Sequence, residues 1–213
     1  MNPATFLALG DSYTIGEGVE ADERWPAQLA RRLGALGVAV AEPLVVARTG
    51  WTTDELSAAM DAMTLAPPYD LVTLLIGVNN QYRDRPLANY RDEFAALLGR
   101  ACGLSRTGAR GVVVVSIPDW GVTRFAASRD AQAIALAIDA FNRAAQDITA
   151  AAGAAFVDVT AASREAGDAA AMLVGDGLHP SAAQYALWTD EILPAAHHAL
   201  LSGKAAAAEQ APL

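Results

Sequence analysis

Two short segments of this chain are apolar at nearly every position, and they restrict the folds that it can adopt. Residues 71–76 read LVTLLI and residues 112–117 read VVVVSI. A strand with one face in water alternates apolar and polar residues, whereas a parallel strand covered by helices on both faces is apolar throughout. Both segments are therefore predicted to be central strands of a parallel sheet.

The rest of the chain fits the same architecture. Further candidate strands are the apolar runs at residues 5–9, 38–47 and 154–157. Apolar residues at helical spacing predict helices over residues 25–33, 52–63, 86–102, 129–152 and 181–200. Thr52 and Glu55 form a capping-box pattern at the start of the second helix. Five strands that alternate with five helices predict an α/β fold with a doubly wound parallel sheet.

We expect this fold to form a single domain over residues 1–201. No internal repeat and no linker rich in Pro, Gly or Ser divides the sequence, and 213 residues are enough for one sizeable core. Residues 202–213 are small and carry no periodic pattern, so they are predicted to form a flexible C-terminal tail.

Polar residues follow the predicted strands at the edge where a sheet of this kind binds ligands. Ligands of open parallel sheets bind outside the carboxyl ends of the strands. The polar segments are GDSY at 10–13, RTGW at 48–51, GVNN at 77–80 and PDWG at 118–121, with DGLH at 176–179 before the last helix.

Three of these residues suit nucleophilic catalysis. A serine hydroxyl such as that of Ser12 is a weak nucleophile and needs a neighbouring base, for which His179 is the candidate. A free histidine side chain has a pKa near 6.5, so it can accept the serine proton and return it to a leaving group. Asp176 lies three residues before His179, a spacing that lets its carboxylate bond the far ring nitrogen and fix the tautomer.

Three groups could stabilise the oxyanion that such a reaction forms. They are the backbone N–H of Ser12, the backbone N–H of Gly50 and the side-chain amide of Asn79. Each motif also has a simpler interpretation: GDS as an ordinary turn, Gly50 as a loop glycine, Asn79 with Asn80 as a polar turn, and DGLH as a surface loop. Their combination after successive strands favours a catalytic site.

In these blocks the chain resembles the SGNH hydrolases, also called the GDSL-type esterase and lipase family. The family is named for a Ser, a Gly, an Asn and a His in separate blocks, which correspond here to Ser12 in GDSYTIGEG, Gly50 in RTGWTTDEL, Asn79 in GVNN and His179 in DGLHPS. The resemblance implies a three-layer α/β/α sandwich with a five-stranded parallel sheet of flavodoxin-like strand order. It also implies hydrolysis of esters or thioesters through an acyl-enzyme, without a metal or another cofactor.

By the same resemblance, the family's catalytic Asp corresponds to Asp176, and its oxyanion donors correspond to Ser12, Gly50 and Asn79. Two positions depart from the family pattern, because Tyr13 replaces the leucine of GDSL and Asn80 stands where many members have Asp. These departures concern which subfamily the chain resembles more than the proposed mechanism, because neither position takes part in the proton transfers. The family also contains acyltransferases, so an acceptor other than water remains an alternative.

Charge and composition exclude several other classes of function. A net charge of −9 disfavours binding to nucleic acid, which needs clustered Lys and Arg. Cys102 is the single cysteine, and the three histidines show no zinc-ligand spacing, so we expect no metal. No apolar run is long enough to cross a bilayer and no signal peptide is recognisable, which predicts a cytoplasmic protein or a trimmed secreted form.

The substrate is predicted only as a class. Trp51, Asn80, Tyr82 and Trp120 lie beside the candidate catalytic residues and are candidate substrate contacts, while packing beneath the loops is the alternative for the aromatic rings. No long insertion resembles a lid, which favours small esters. Acetylated sugars, lysophospholipids and thioesters stay open, as does the oligomeric state. One competing hypothesis is a non-catalytic flavodoxin-like binding module, but the chain has no Gly-rich phosphate loop. Another is a phosphorylation-receiver domain, which would need an acidic pair after the first strand, where Asp11 stands alone.

Overall fold

A five-stranded sheet with every strand parallel forms the centre of the molecule. The structure is a computed structural model that describes residues 2–209. Its strand order is β2-β1-β3-β4-β5, the flavodoxin-like order. The strands are β1 (Phe6–Gly10), β2 (Leu44–Ala47), β3 (Leu71–Leu75), β4 (Val112–Val115) and β5 (Ala155–Val157). The predicted α/β fold with a five-stranded parallel sheet is confirmed.

Eight α-helices connect and cover the strands. They are α1 (Ser12–Ile15), α2 (Trp25–Ala35), α3 (Thr53–Ala62), α4 (Val78–Tyr82), α5 (Leu87–Leu104), α6 (Ala131–Ala152), α7 (Thr160–Ala166) and α8 (Ala182–Glu209) within the described part of the chain. Short 3-10 turns occur at Ala21–Glu23, Gly108–Gly111, Trp120–Val122 and Arg124–Ala126.

The helices cover both faces of the sheet, as the apolar strands require. Helix α2 packs against α8, which also contacts β3, β4 and β5. Helix α5 packs against α3 and α6 and contacts β3. Every residue of β1, β3 and β4 is buried as a result. The core contains Trp25 of α2 and Trp188 of α8, together with a cluster of rings from Tyr90, Phe94 and Phe141.

The strand predicted over residues 38–47 is shorter in the structure. Only Leu44–Ala47 pairs continuously with β1, while Val40 makes an isolated bridge to Ala4. Pro43 separates the two pairings, and a proline has no N–H to donate to a ladder. The prediction of one continuous strand was therefore wrong at its N-terminal half.

Except at the C-terminal end of α8, the other predicted elements agree with the structure to within a few residues, but three short helices were not predicted. The helices α1, α4 and α7 have four, five and seven residues, too few to show a helical period. The capping box at α3 is present, since the Thr52 N–H donates to Glu55 Oε2 at 2.9 Å.

The boundary predicted at residue 201 falls inside a helix. Helix α8 continues to Glu209, through the first part of the tail predicted over residues 202–213. Residues 210–213 lie outside the described residues. Among the helices that are described, none is both long enough and apolar enough to cross a membrane.

A pair of glycine substitutions tests how tightly β1 packs beneath α1. In Gly10→Ala the new Cβ would lie 2.2 Å from Thr14 Oγ1 and 2.6 Å from the Leu75 carbonyl oxygen. We expect overpacking to lower the free energy of unfolding by about 2–3 kcal/mol, measured by urea denaturation. Gly99→Ala is the matched control on α5, where a Cβ meets no atom within 4 Å. It should raise stability by about 0.5–1 kcal/mol. Equal effects of the two substitutions would contradict this packing.

Candidate active site

Three of the predicted site residues lie at the carboxyl ends of adjacent strands. Ser12 is the first residue of α1 and is separated from β1 only by Asp11, Gly50 follows β2, and Asn79 lies in the first turn of α4 after β3. Strands β1 and β3 are neighbours in the sheet, although β2 separates them in sequence. This is the switch point at which open α/β sheets bind ligands, because the connections diverge there to opposite faces.

Asp11 fixes the turn that carries Ser12. Its Oδ1 atom accepts a hydrogen bond from the Tyr13 N–H at 3.0 Å, and its backbone carbonyl accepts from the N–H groups of Thr14 and Ile15. Asp11 therefore caps α1 and holds Ser12 at the start of that helix. The Asp11 side chain is fully buried, and burial raises its pKa to about 7 despite the hydrogen bond from Tyr13.

The His179 ring is held by a carboxylate of its own loop. Its Nδ1 atom lies 2.6 Å from Asp176 Oδ2, while Asp176 Oδ1 accepts from the backbone N–H groups of Leu178 and His179 at 2.8 and 3.0 Å. Gly177 adopts a φ of 72°, a left-handed conformation that lets the loop turn back between the two side chains.

The charge state of Asp176 sets the histidine tautomer. Burial alone would raise the pKa of Asp176, but the hydrogen bonds from the His179 ring and from the two backbone N–H groups lower it below the usual value. An ionised carboxylate can only accept hydrogen bonds, so Nδ1 of His179 carries the proton. The Nε2 atom is then the basic nitrogen of the ring.

Ser12 and His179 line the same cleft, which has a volume of about 180 Å³. Gly50 and Asn79 line it as well, so the four residues predicted from separate sequence blocks come together. Within residues 2–209, no hydrogen bond joins the Ser12 hydroxyl to the His179 ring. Such hydrogen bonds are often long in unliganded enzymes and shorten when the substrate is bound. Tyr13 packs behind the histidine, with its ring centre 5.7 Å from that of His179.

Two backbone N–H groups in the cleft have no acceptor among the described residues. They belong to Ser12 and Gly50, both of which line the cleft. The Asn79 side chain donates one amide hydrogen to the Trp51 carbonyl at 2.9 Å. This bond orients the amide and leaves its second hydrogen available to another acceptor. These three groups could donate to one bound oxyanion.

Arg83 connects the loop after β2 to the helix after β3. Its Nη2 atom donates to the Gly50 carbonyl at 2.6 Å, and its Nη1 atom lies 3.4 Å from Glu55 Oε2. Gly50 has a φ of 86°, which residues with a side chain rarely adopt. The guanidinium therefore holds the peptide between Gly50 and Trp51, which adjoins the Gly50 N–H, and it does so from outside the cleft.

The predicted substrate contacts divide into two groups. Tyr82 and Trp120 line the cleft, whereas Trp51 and Asn80 are not among its lining residues. Asn80 is fully buried, where its Oδ1 accepts from the Thr53 N–H and its Nδ2 donates to the Thr53 hydroxyl. The interpretation of Asn80 as a substrate contact is therefore corrected, because both ends of its amide bind Thr53 at the start of α3. Trp51 contributes its backbone carbonyl to Asn79, while its ring packs against the core.

Several residues of the site were missed by sequence reasoning. Phe125 lines the cleft beside Tyr82 and Trp120, and we call these three residues the aromatic wall. The Phe125 N–H donates to the Gly177 carbonyl at 3.1 Å, which joins the wall to the histidine loop. The sequence gives no periodic signal at Phe125 or Arg83, because both lie in irregular segments. Asp11 could have been identified from its position between an apolar strand and Ser12.

Metal ligation has no candidate in the described part of the chain, where no group of three or more His, Cys, Asp or Glu side chains is placed to hold an ion. The cysteine Cys102 is half-buried on α5.

Comparison with known proteins places these features in a wider group. A model of the GDSL-like lipase/acylhydrolase family matches residues 8–187. Among curated protein sequences, none matches the chain significantly.

Solved structures share the fold at low sequence identity. The crystal structure of TesA has a TM-score of 0.71 and 21% identity, over 90% of this chain and 97% of that one. Axe2, an acetylxylan esterase from Geobacillus stearothermophilus, has a TM-score of 0.71 and 20% identity, over 91% and 94% of the two chains. A lipase/acylhydrolase from Enterococcus faecalis has a TM-score of 0.70 and 21% identity, over 91% and 95%.

The buried carboxyl of Asp11 should make stability depend on pH. Its pKa is about 7 in the folded chain and near 3.8 in the unfolded chain, so only the unfolded state loses this proton between those values. The buried Asp11 carboxyl therefore lowers the free energy of unfolding least below pH 4, and this loss of stability grows until about pH 7. Asp11→Asn removes this dependence. The free energy of unfolding of Asp11→Asn minus that of wild type should rise between pH 4 and pH 7 by up to about 4 kcal/mol, measured by urea unfolding.

The control for this experiment is Asp168→Asn, which removes a carboxylate from an exposed position. Its stability difference from wild type should stay nearly constant over the same pH range. Parallel pH curves for wild type and Asp11→Asn would show that burial does not perturb Asp11.

Proposed function

Because this chain belongs to the GDSL-like lipase/acylhydrolase family, we propose that it is a serine esterase that hydrolyses small carboxylic esters, or thioesters of similar size. In this proposal Ser12 is the nucleophile, His179 is the general base and acid, and Asp176 orients His179. The Ser12 N–H, the Gly50 N–H and the Asn79 amide form the oxyanion hole. The reaction requires no metal and no other cofactor, since protein groups carry every proton and stabilise every charge.

The acylation step begins with attack of the Ser12 hydroxyl oxygen on the ester carbonyl carbon. His179 Nε2 accepts the hydroxyl proton as the new C–O bond forms, and Asp176 stabilises the imidazolium that results. The carbonyl oxygen becomes an oxyanion that receives hydrogen bonds from the three donors. Collapse of this intermediate breaks the bond to the leaving alcohol, which takes the proton from Nε2. The product is an ester of Ser12.

The deacylation step repeats the chemistry with water. His179 Nε2 accepts a proton from the water as its oxygen attacks the acyl-enzyme, and the same donors hold the second oxyanion. Breakage of the bond to Ser12 returns the proton from His179 to the serine oxygen and releases the carboxylic acid. An alcohol in place of this water would give acyl transfer, which is the alternative reaction for the same residues.

One observation carries this proposal. A serine, a histidine with its carboxylate partner, and two backbone N–H groups without an internal acceptor in the described chain all meet at one cleft. A site that only binds a neutral ligand would have no need for a carboxylate-oriented imidazole beside a serine. A phosphate-binding module would need a Gly-rich cradle, which the sequence lacks.

The proposal predicts that Ser12 and His179 are both indispensable. We expect Ser12→Ala and His179→Ala each to reduce hydrolysis of 4-nitrophenyl butyrate by at least about a thousandfold. A fluorophosphonate should add its mass to wild type at Ser12 and fail to label Ser12→Ala. The matched controls are Ser57→Ala on α3 and His197→Ala on α8, whose side chains are outside the cleft. Full activity in a folded Ser12→Ala variant would overturn the assignment.

The proposal also predicts that Arg83 positions the Gly50 N–H without touching the substrate. Arg83→Ala should lower kcat by roughly tenfold to a hundredfold, since a displaced oxyanion donor acts mainly in the transition state. KM should change by less than about threefold. Arg83→Lys should restore only part of kcat, because an ammonium group cannot bind Gly50 and Glu55 with the geometry of a guanidinium.

Free guanidinium added at tens of millimolar should raise kcat of Arg83→Ala and leave wild type unaffected. Arg100→Ala is the control, because Arg100 also joins two segments but does so through Ser57 and Asp61 outside the cleft. If kcat of Arg83→Ala equals that of Arg100→Ala, Arg83 has no positioning role.

A further inference from the structure

The cleft has a polar part and an aromatic part, and only the polar part is used by the proposed chemistry. Ser12, Gly50 and Asn79 follow β1, β2 and β3. The aromatic wall belongs to the segments after β3 and β4. Tyr82 lies at the end of α4, while Trp120 and Phe125 lie in the 3-10 turns Trp120–Val122 and Arg124–Ala126. Its residues line the same cleft as Ser12 and His179.

The three rings of the wall contact one another. The ring centres of Tyr82 and Trp120 lie 5.3 Å apart with an edge-to-face geometry, and Phe125 lies 6.4 Å from Tyr82 and 6.3 Å from Trp120. These distances are within the range of favourable aromatic pairs. The wall is therefore one packed surface.

Two rings of this surface are left in water. Tyr82 is 41% exposed and Phe125 is 42% exposed, whereas Trp120 is only 4% exposed. The Trp120 indole N–H donates to Gln81 Oε1 at 2.8 Å, which fixes the ring as the base of the wall. Exposed rings grouped at a cleft are a common sign of a surface that a ligand covers.

Arg129 holds the wall from one side. Its guanidinium carbon lies 5.3 Å from the centre of the Tyr82 ring and 5.6 Å from that of the Trp120 ring. Its Nη2 atom also donates to the Tyr82 hydroxyl at 3.2 Å. A guanidinium stacked over two aromatic faces restricts both rings. The wall is thus ordered before any ligand arrives.

The size of the cleft limits the group that the wall can accept. A cavity of about 150 Å³ admits benzene, so the whole cleft of about 180 Å³, its polar part included, accommodates an acyl group of at most roughly six carbon atoms. An acetyl group would leave most of the wall in water, and a chain of ten or more carbons would extend beyond it.

Given the proposed esterase function, on which this step rests, we infer that the aromatic wall is the acyl-binding subsite and that it selects short apolar acyl groups of about four to six carbons. The acyl group stays in the site through both half-reactions, whereas the alcohol leaves after the first. An ordered apolar surface beside the nucleophile therefore suits the acyl group better than the alcohol. Phe125 and Tyr82 are the specificity-determining residues, and Arg129 is a positioning residue.

The test is a series of 4-nitrophenyl esters with one leaving group and acyl chains of two, four, six, eight and ten carbons. Each buried methylene contributes about 0.8 kcal/mol, or close to fourfold in kcat/KM, so the butyrate, with two more methylenes, should exceed the acetate by about fifteenfold. The maximum should fall at butyrate or hexanoate. In Phe125→Ala the ratio of kcat/KM for hexanoate to that for acetate should fall by about tenfold.

The matched control is Leu136→Ala, which truncates a large apolar side chain on α6 that is 64% exposed and does not line the cleft. It should keep the wild-type ratio. A second series holds the acyl group at butyryl and varies the alcohol from methyl to phenyl, and Phe125→Ala should leave the preference among these alcohols unchanged.

The outcomes separate this inference from the proposed function. Hydrolysis together with a maximum at acetate, or an unchanged ratio in Phe125→Ala, would overturn the acyl subsite while the esterase remains. A changed alcohol preference in Phe125→Ala would likewise overturn it by assigning the wall to the leaving group. Absence of hydrolysis of every ester, with no fluorophosphonate label on Ser12, would refute the proposed function itself.

Discussion

Gly10, the last residue of β1, pairs with Ala47 of β2 on one side and with Leu75 of β3 on the other. The polar segments that start with Asp11, Arg48 and Gly77 thus leave the sheet at nearly the same level. Adjacent strands in a sheet are separated by about 4.8 Å, so three segments far apart in sequence begin within about 10 Å of one another. Hydrogen-bond register in the parallel sheet is the constraint on which the geometry of the site depends.

Side chains then connect two of these segments, those after β2 and β3, above the sheet. Asn79 donates to the Trp51 carbonyl, Asn80 binds Thr53 at both ends of its amide, and Arg83 donates to the Gly50 carbonyl. All of these bonds run from α4 or the residue that follows it to residues 50–53, just before and at the start of α3. They fix the groups that could meet an oxyanion before a substrate binds, and such preorganisation is the main source of electrostatic stabilisation in enzyme sites.

The parts of the molecule that the sequence predicts are those with a local physical signal. The apolar runs of β3 and β4 identify central strands because both of their faces are buried, and the Thr52–Glu55 box marks the start of α3. The joint presence of Ser12, Gly50, Asn79 and His179 at one cleft follows from strand order and from resemblance to a family. The direction of a side chain has no such signal. Asn79 and Asn80 are identical neighbours, yet one lines the cleft and the other is buried against Thr53. Phe125 and Arg129 reach the site only through the course of an irregular segment after β4.

The shortened second strand has a consequence for how molecules of this protein meet one another. Strands β2 and β5 are the two edges of the sheet, and they have four and three residues. An edge strand exposes unpaired N–H and C=O groups that can recruit a strand from another chain, and short edges and prolines reduce this hazard. Pro43 has no N–H to donate just before β2, and it interrupts the pairing between β2 and the isolated bridge at Val40. The interruption that confined β2 to four residues thereby gives the sheet a border with few sites for intermolecular strand addition.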